Sequence, residues 1–165
     1  MQLFKRPATG GEPVPLTDEP LGVSSYMASE DGETIALIVN RLPGVEEEKQ
    51  REESTDRGKH GPSSRVYTRM PIRYWDHWLP SAAPQVAVWR DGEVELLTDF
   101  ADRTYRNASP VIDLSGSKIA ISNMDRVASD RMHDGRLELF DLESKSSRVI
   151  DLGARKSLVP LMFTP

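Results

Sequence analysis

The chain has 165 residues, 38% of them hydrophobic and 28% charged, with a net charge of -5, a pI near 5.3 and no cysteine. These figures fit one globular domain with one core, exclude disulfides, thiolate metal sites and cysteine nucleophiles, and argue against a general nucleic-acid binder, which needs clustered Lys and Arg. No apolar run approaches the roughly 18 residues of a membrane span, and "MQLFKRPATGG" lacks the apolar stretch of a signal peptide.

The first element is a hairpin over residues 1–18, "LFKR" and "VPL" joined at Gly10-Gly11. "TIALIV" (34–39) follows Asp31-Gly32 and is short, apolar and β-branched, as a buried strand is. Residues 40–68 then form a charged insertion. Between Glu46 and Asp56 it holds six acids against two bases, so a solvated loop is expected, with Glu47 and Arg51 at i,i+4 spacing able to support a short helix. An acidic docking loop is the functional alternative.

"VAVWR" and "EVELL" flank Asp91-Gly92, a strong two-residue hairpin signal because a type I′ turn needs positive φ at both central residues. "DLSGSKIAIS" (113–122) repeats "SEDGETIALI" (29–38), with Gly116, Ile119 and Ala120 matching Gly32, Ile35 and Ala36. "LELFDLESKSSRVIDL" (137–152) repeats "VAVWRDGEVELLTD" (86–99), and "VPLTD" ending at Asp18 repeats "ELLTD" ending at Asp99. No segment carries a long helical period. Four short strands per repeat of about 40–50 residues are the mark of propeller blades. The expected fold is therefore all-β: a partial β-propeller of four-stranded antiparallel blades, about two and a half of them, open rather than closed. Residues 1–18 end one blade, 22–99 form a second with the insertion, 107–152 form a third, and 157–165 supply the first strand of another. Because a propeller needs at least four blades to close, a piece of a larger protein is expected.

Chemical motifs are sparse. No G-x-S-x-G elbow is present; Ser115-Gly116-Ser117 lies at a blade turn. His60, His77 and His133 are scattered, without metal-ligand spacing, and no phosphate- or dinucleotide-binding glycine pattern implies a cofactor. "RMHDGR" (131–136) reads as loop chemistry. The densest cluster is "PIRYWDHWLP" (71–80), with Arg73, Trp75, Asp76, His77 and Trp78. If extended, it places Arg73, Trp75 and His77 on one face. It reads as a blade strand, or a strap over a blade, whose tryptophans fill space between blades, or as a surface for a partner domain or peptide, since Trp, Tyr and Arg dominate such contacts. No nucleophile accompanies it.

"RMPIRYWDHWL", followed by "QVAVW" and "LLTD", resembles the propeller of the prolyl oligopeptidase family of serine peptidases, in its bacterial dipeptidyl-peptidase and acylaminoacyl-peptidase branch. "SEDGETIALIV" is similar to the Ser-Pro-Asp-Gly repeat of that family and of TolB-like propellers, with Glu30 in place of proline. The resemblance implies a propeller that covers an α/β-hydrolase domain and admits only short peptides, with the catalytic triad in that hydrolase domain. No catalytic residue, metal or cofactor of this chain is implied. A non-catalytic TolB-like scaffold for protein partners is the alternative. Trp75→Ala or Trp78→Ala is expected to lower stability by about 3–5 kcal/mol, as loss of a buried aromatic does. Urea unfolding checks this; an equally stable variant with altered peptide selectivity would favour the binding-surface reading.

Overall fold

The computed structural model describes residues 1–61, 73–74, 77–78, 81–99, 103–105, 108–125, 135–150 and 160–164. In chain order the strands are β1 (Phe4–Lys5), β2 (Val14–Pro15), β3 (Val23–Ala28) and β4 (Thr34–Arg41). After a 3-10 turn (Glu47–Lys49) and helix α1 (Gln50–His60) come β5 (Arg73–Tyr74), β6 (His77–Trp78), β7 (Ala83–Arg90), β8 (Glu93–Leu96) and β9 (Arg103–Thr104). The last four are β10 (Val111–Ile112), β11 (Lys118–Asp125), β12 (Gly135–Asp141) and β13 (Ser146–Ile150).

The chain is all-β in class, with two antiparallel meanders as its blades. The first blade has the order β3-β4-β7-β8, the second β10-β11-β12-β13, and β1-β2 and β5-β6 are separate two-stranded hairpins. β9 also pairs with β11, at Met124↔Thr104, so two short pieces share the first strand position of the second blade. Among the described residues the sheets do not close into a ring, which is the arrangement of a partial β-propeller.

Successive residues of a strand point to opposite faces of its sheet. Six consecutive residues of β4, Thr34 to Val39, are nonetheless buried, so the first blade is covered on both faces. On one face Ala36, Ile38, Val86 and Val88 pack against Ile112, Ile119, Ile121 and Phe140 of the second blade and Tyr105 just after β9. On the other, Ile35, Leu37, Val39, Ala87 and Trp89 pack with Val23 and against Leu3, with Leu16 at the margin. Each fully buried Val, Leu or Ile contributes about 1.5–3 kcal/mol.

These two interfaces are one interface repeated. Ladder register makes Ile35, Leu37 and Trp89 the equivalents of Ile119, Ile121 and Phe140. The other half repeats as well. Thr98 Oγ1 donates to Gln85 Oε1 at 2.8 Å and accepts the Val86 amide at 3.0 Å, while the Leu97 amide donates to Val86 O at 2.8 Å. Thr17 Oγ1 likewise donates to Gln2 Oε1 at 2.8 Å and accepts the Leu3 amide at 3.0 Å, and the Leu16 amide donates to Leu3 O at 2.9 Å. The β1-β2 hairpin is thus built like the outer hairpin β7-β8 of a blade. The repeated "LTD" shows half of this staple in the sequence; the glutamine partner, 13 to 15 residues before its threonine, is shown by the hydrogen bonds.

The turns repeat too. Asp91 (φ 54°) and Gly92 (φ 85°) form the tight turn between β7 and β8. The turns before β4 and β11 carry Gly32 at φ 73° and Gly116 at φ 72°. In the first, Ser29 Oγ donates to Asp31 Oδ1 at 2.6 Å; in the second the roles trade places, and Ser115 Oγ donates to Asp113 Oδ2 at 2.7 Å. Asp113 also accepts the amides of Ser117 and Lys118 and the Ser117 hydroxyl. The turns meet at the blade junction: the Glu30 amide donates to Leu114 O, and Arg90 Nη2 donates to Gly116 O at 2.8 Å.

The described part of the insertion contains an eleven-residue helix, although its sequence has no apolar face. Isolated helices this short are marginal in water, so the base of α1 is pinned. Gln50, 1% exposed, accepts the Leu42 amide at 2.7 Å and donates to Leu42 O at 3.0 Å and Val45 O at 2.8 Å. The Glu47/Arg51 pair does not form. Glu47 turns back to Arg41, at 2.8 Å, and Arg51 reaches Asp18, at 2.7 Å, because the helix base lies against the strand ends where these fixed partners sit. Further along, Glu53–Arg57 and Asp56–His60 make the i,i+4 contacts instead.

Two predictions come from the turns. A Cβ on Gly32 meets nothing within 4 Å, whereas one on Gly116 would lie 2.8 Å from Thr34 Cβ and Oγ1. Gly32→Ala is therefore expected to cost only the left-handed backbone penalty, about 1–2 kcal/mol, and Gly116→Ala about 1–3 kcal/mol more from overpacking, as read from urea midpoints. Equal losses would contradict the close blade contact. The second concerns acid. Burial pushes the Asp113 carboxyl up, but hydrogen bonds from Ser115, Lys118 and Ser117 outweigh it and hold the group below its ordinary 3.8. A depressed carboxylate stabilises the fold fully above its unfolded value, and that contribution is lost as pH falls through the lower folded one. Asp113→Asn is therefore expected to flatten the loss of stability on acidification below about pH 4, measured by urea titration at each pH. An unchanged acid slope would refute this.

Candidate functional site

Of the sequence candidates, Arg73, His77 and Trp78 lie in the β5-β6 hairpin; Trp75 and Asp76 lie outside the described residues. The register is Arg73↔Trp78 and Tyr74↔His77. Arg73 and Tyr74 thus form one strand of an antiparallel pair and His77 and Trp78 the other. Positions 73 and 78 meet across the ladder, and so do 74 and 77. "RMHDGR" up to Asp134, with His133, also lies outside the described residues.

The Ser115-Gly116-Ser117 turn is structural. Each hydroxyl donates its one proton to the Asp113 carboxylate, Ser115 Oγ at 2.7 Å and Ser117 Oγ at 2.9 Å, and the two hydroxyl oxygens lie 2.9 Å apart. This caps the turn rather than activating a nucleophile, since a carboxylate with a depressed pKa is a weak base. His60 sits at the exposed end of α1 beside Asp56. Among the described residues no group of three or more His, Asp or Glu could hold a metal ion.

Two sites emerge from tertiary structure alone. The first is a cleft of about 450 Å³ between β8 of the first blade and the β12–β13 edge of the second. Its floor is apolar, from Val88, Leu97, Phe140 and Leu142, and its rim is ionic, with Glu93, Glu95 and Asp141 facing Arg90 and Lys145. Lys145 Nζ crosses it to Glu95 Oε1 at 2.9 Å, an exposed pair worth at most about 1 kcal/mol. Such a surface can bind an extended segment; it presents no group placed for bond breaking. Beneath the blade junction Glu138, fully buried, accepts the Tyr105 hydroxyl at 2.8 Å. Ladder register puts this acid where the first blade has Ala87. An acid at an inward position of "LELF" was the available signal.

The second site lies at the base of α1. Arg41, 3% exposed, contacts the buried Glu19 at 2.6 Å and the more exposed Glu47 at 2.8 Å. Glu19 Oε2 receives no well-directed hydrogen bond, so its contact with Arg41 is ionic in character. Removing one member of a buried pair costs about 3–5 kcal/mol because the other charge is stranded. A shallow depression beside it is lined by Gln2, Glu19, Asn40, Arg51 and Ser54. Arg41 therefore joins three parts of the chain: the segment after β2, the end of β4 and the insertion.

No protein-family model matches the chain, and no curated protein matches it. Among solved structures, a TolB from Acinetobacter baumannii superposes with a TM-score of 0.49 and 11% identity, covering 92% of this chain and 26% of that one. A structure from a study of two prolyl endopeptidases superposes with a TM-score of 0.32 and 14% identity, covering 92% and 25%. The chain thus spans about a quarter of the length of each.

Proposed function

We propose that these blades belong to the propeller of a prolyl oligopeptidase-like serine peptidase of the dipeptidyl- or acylaminoacyl-peptidase kind. In this reading the propeller gates the access of short peptides to an α/β-hydrolase domain of the same protein. Oxyanion stabilisation and acyl transfer are the work of that domain. The hairpin bearing Arg73, Trp75, Asp76, His77 and Trp78 faces either the substrate chamber or the domain interface. The observation that carries the reading is the repeated blade interface, joined to the likeness of "RMPIRYWDHWL" and "SEDGETIALIV" to that family. The same interface also suits a TolB-like binding scaffold, so the test must separate the two.

In the genome, the reading frame beyond Pro165 is expected to encode further blades and then a strand–G-x-S-x-G–helix unit; a stop after the last blade would overturn the peptidase reading in favour of the scaffold. For the protein itself, residues 1–165 are expected to show no hydrolysis of aminoacyl-peptide substrates and no labelling by a serine-directed fluorophosphonate. The protein carrying the hydrolase domain is expected to label on a serine outside these residues. Labelling within 1–165 would contradict the assignment.

A further inference from the structure

One position differs between the two blades at the cleft that separates their outer strands. Ladder register sets Val94 of β8 across from Trp89, and Ser147 of β13 across from Phe140, the equivalent of Trp89. Val94 packs at the margin of its core, whereas Ser147 is exposed and lines the cleft. A short polar side chain thus stands where the first blade has an apolar one, and the space above Val88, Leu97 and Phe140 stays open. The charges around it do not all find partners. Lys145 answers Glu95 at 2.9 Å, Arg90 is held by Gly116 O and Thr34 Oγ1, and Asp141 accepts the amide and hydroxyl of Ser144. Glu93 has no partner among the described residues. β8 is also the last strand of its blade, and no described strand pairs with its other edge. The Leu97 amide donates to Val86 O, so by alternation the amides and carbonyls of Glu93 and Glu95 also face β7, and those of Val94 and Leu96 point to the free edge.

We propose that this cleft, together with the free edge of β8, binds an extended basic peptide of a partner protein as an added antiparallel strand. Val94 and Leu96 exchange the backbone hydrogen bonds with it. Residues opposite Glu93, Glu95 and Leu97 then form the non-hydrogen-bonded pairs, in which side chains come closest. These three share the cleft face, since Glu95 lies across from Val88 and Glu93 across from Arg90. The geometry sets the order from the partner's N-terminus: an apolar residue opposite Leu97, another opposite Glu95 over the open floor, and a lysine or arginine opposite the unpaired Glu93. Charged side chains on an edge strand repel segments of like charge, so Glu93 and Glu95 select a basic segment. They also disfavour a second copy of this chain, because β8 edges paired about Val94 or Glu95 set acid opposite acid, which destabilises a ladder. This inference rests on the cleft and the edge and not on the peptidase reading.

The test titrates the end-blocked synthetic peptide Thr-Ile-Thr-Val-Thr-Lys-Thr into the full chain and follows amide exchange by NMR. With peptide in excess, exchange at the Val94 and Leu96 amides is expected to slow at least about tenfold, while Glu93 and Glu95, already bonded to β7, change little. A peptide with glutamate in place of its lysine is expected to give no slowing. Glu93→Gln is expected to weaken binding about two- to fivefold, as loss of an exposed ion pair does, and the difference closes at about 1 M salt. Ser147→Val puts the first blade's residue into the second; it is expected to weaken binding without lowering the urea midpoint. Unchanged exchange at Val94 and Leu96 in excess peptide would overturn the proposal, as would equal binding of the lysine and glutamate peptides or protection along β3 or β13 instead. Binding that Glu93→Gln and Ser147→Val both leave unchanged would place the peptide elsewhere and overturn it too. Slowing at Val94 that rises with protein concentration in the absence of peptide would assign the edge to a second copy, with the same consequence. Each of these results leaves the fluorophosphonate outcome unaffected, so a failure here is distinguishable from failure of the peptidase reading.

Discussion

Each blade has two apolar faces and no way to bury both by itself. A lone four-stranded meander leaves one side of "TIALIV" in water whichever way it folds, and this constraint governs the rest of the molecule. It is met by stacking: the face carrying Ala36, Ile38, Val86 and Val88 lies on the second blade, and the face carrying Ile35, Leu37 and Trp89 lies under Leu3 and Leu16. Because neighbouring faces are alike from unit to unit, the same contact can recur along the chain. Stability in such an array comes mainly from interfaces between neighbours.

The polar groups obey the same geometry. A backbone buried between blades must have its hydrogen bonds satisfied internally, and the ladders do this along the strands. At the strand ends the Gln–Thr staple satisfies the amides of Leu3 and Val86, and the Ser–Asp turns close the loops ahead of β4 and β11. The exchange of serine and aspartate between those two turns shows that the turn requires one hydroxyl and one carboxylate but not a fixed order. Gly116 answers a separate demand, since the left-handed backbone there coincides with the closest approach of the neighbouring blade at Thr34.

The insertion is held differently. α1 has no apolar stripe, so it joins the blade through Gln50, Arg41 and Arg51 rather than through a core. Hydrogen bonds to a buried amide side chain specify where the helix starts, while i,i+4 pairs extend it outward into solvent. The blades thus supply a rigid frame, and the insertion adds a polar arm whose position depends on a few directional contacts near the N-terminal segment.

The all-β class, the hairpin at Asp91-Gly92 and the matching of Gly32, Ile35 and Ala36 to Gly116, Ile119 and Ala120 were all legible in the residues. Local turn chemistry and short-range periodicity decide these features, and both are written along the chain. At Arg73–Trp78 alternation placed residues on faces only on condition that the stretch is extended, and the pairing of 73–74 with 77–78 is given by the ladder and not by the pattern of large residues. The partners of Glu47 and Arg51 were misassigned because i,i+4 spacing competes with Arg41 and Asp18, which are remote or off-face in sequence. The cleft between β8 and the β12–β13 edge joins residues as far apart as Glu95 and Lys145, 50 positions, the Glu138–Tyr105 contact spans 33 and the Gln85–Thr98 staple 13. By itself the sequence determined the long strands of the two blades and that they repeat. Tertiary structure alone decided which faces meet and where charged side chains find partners, because those contacts exist only once one blade is stacked on the next.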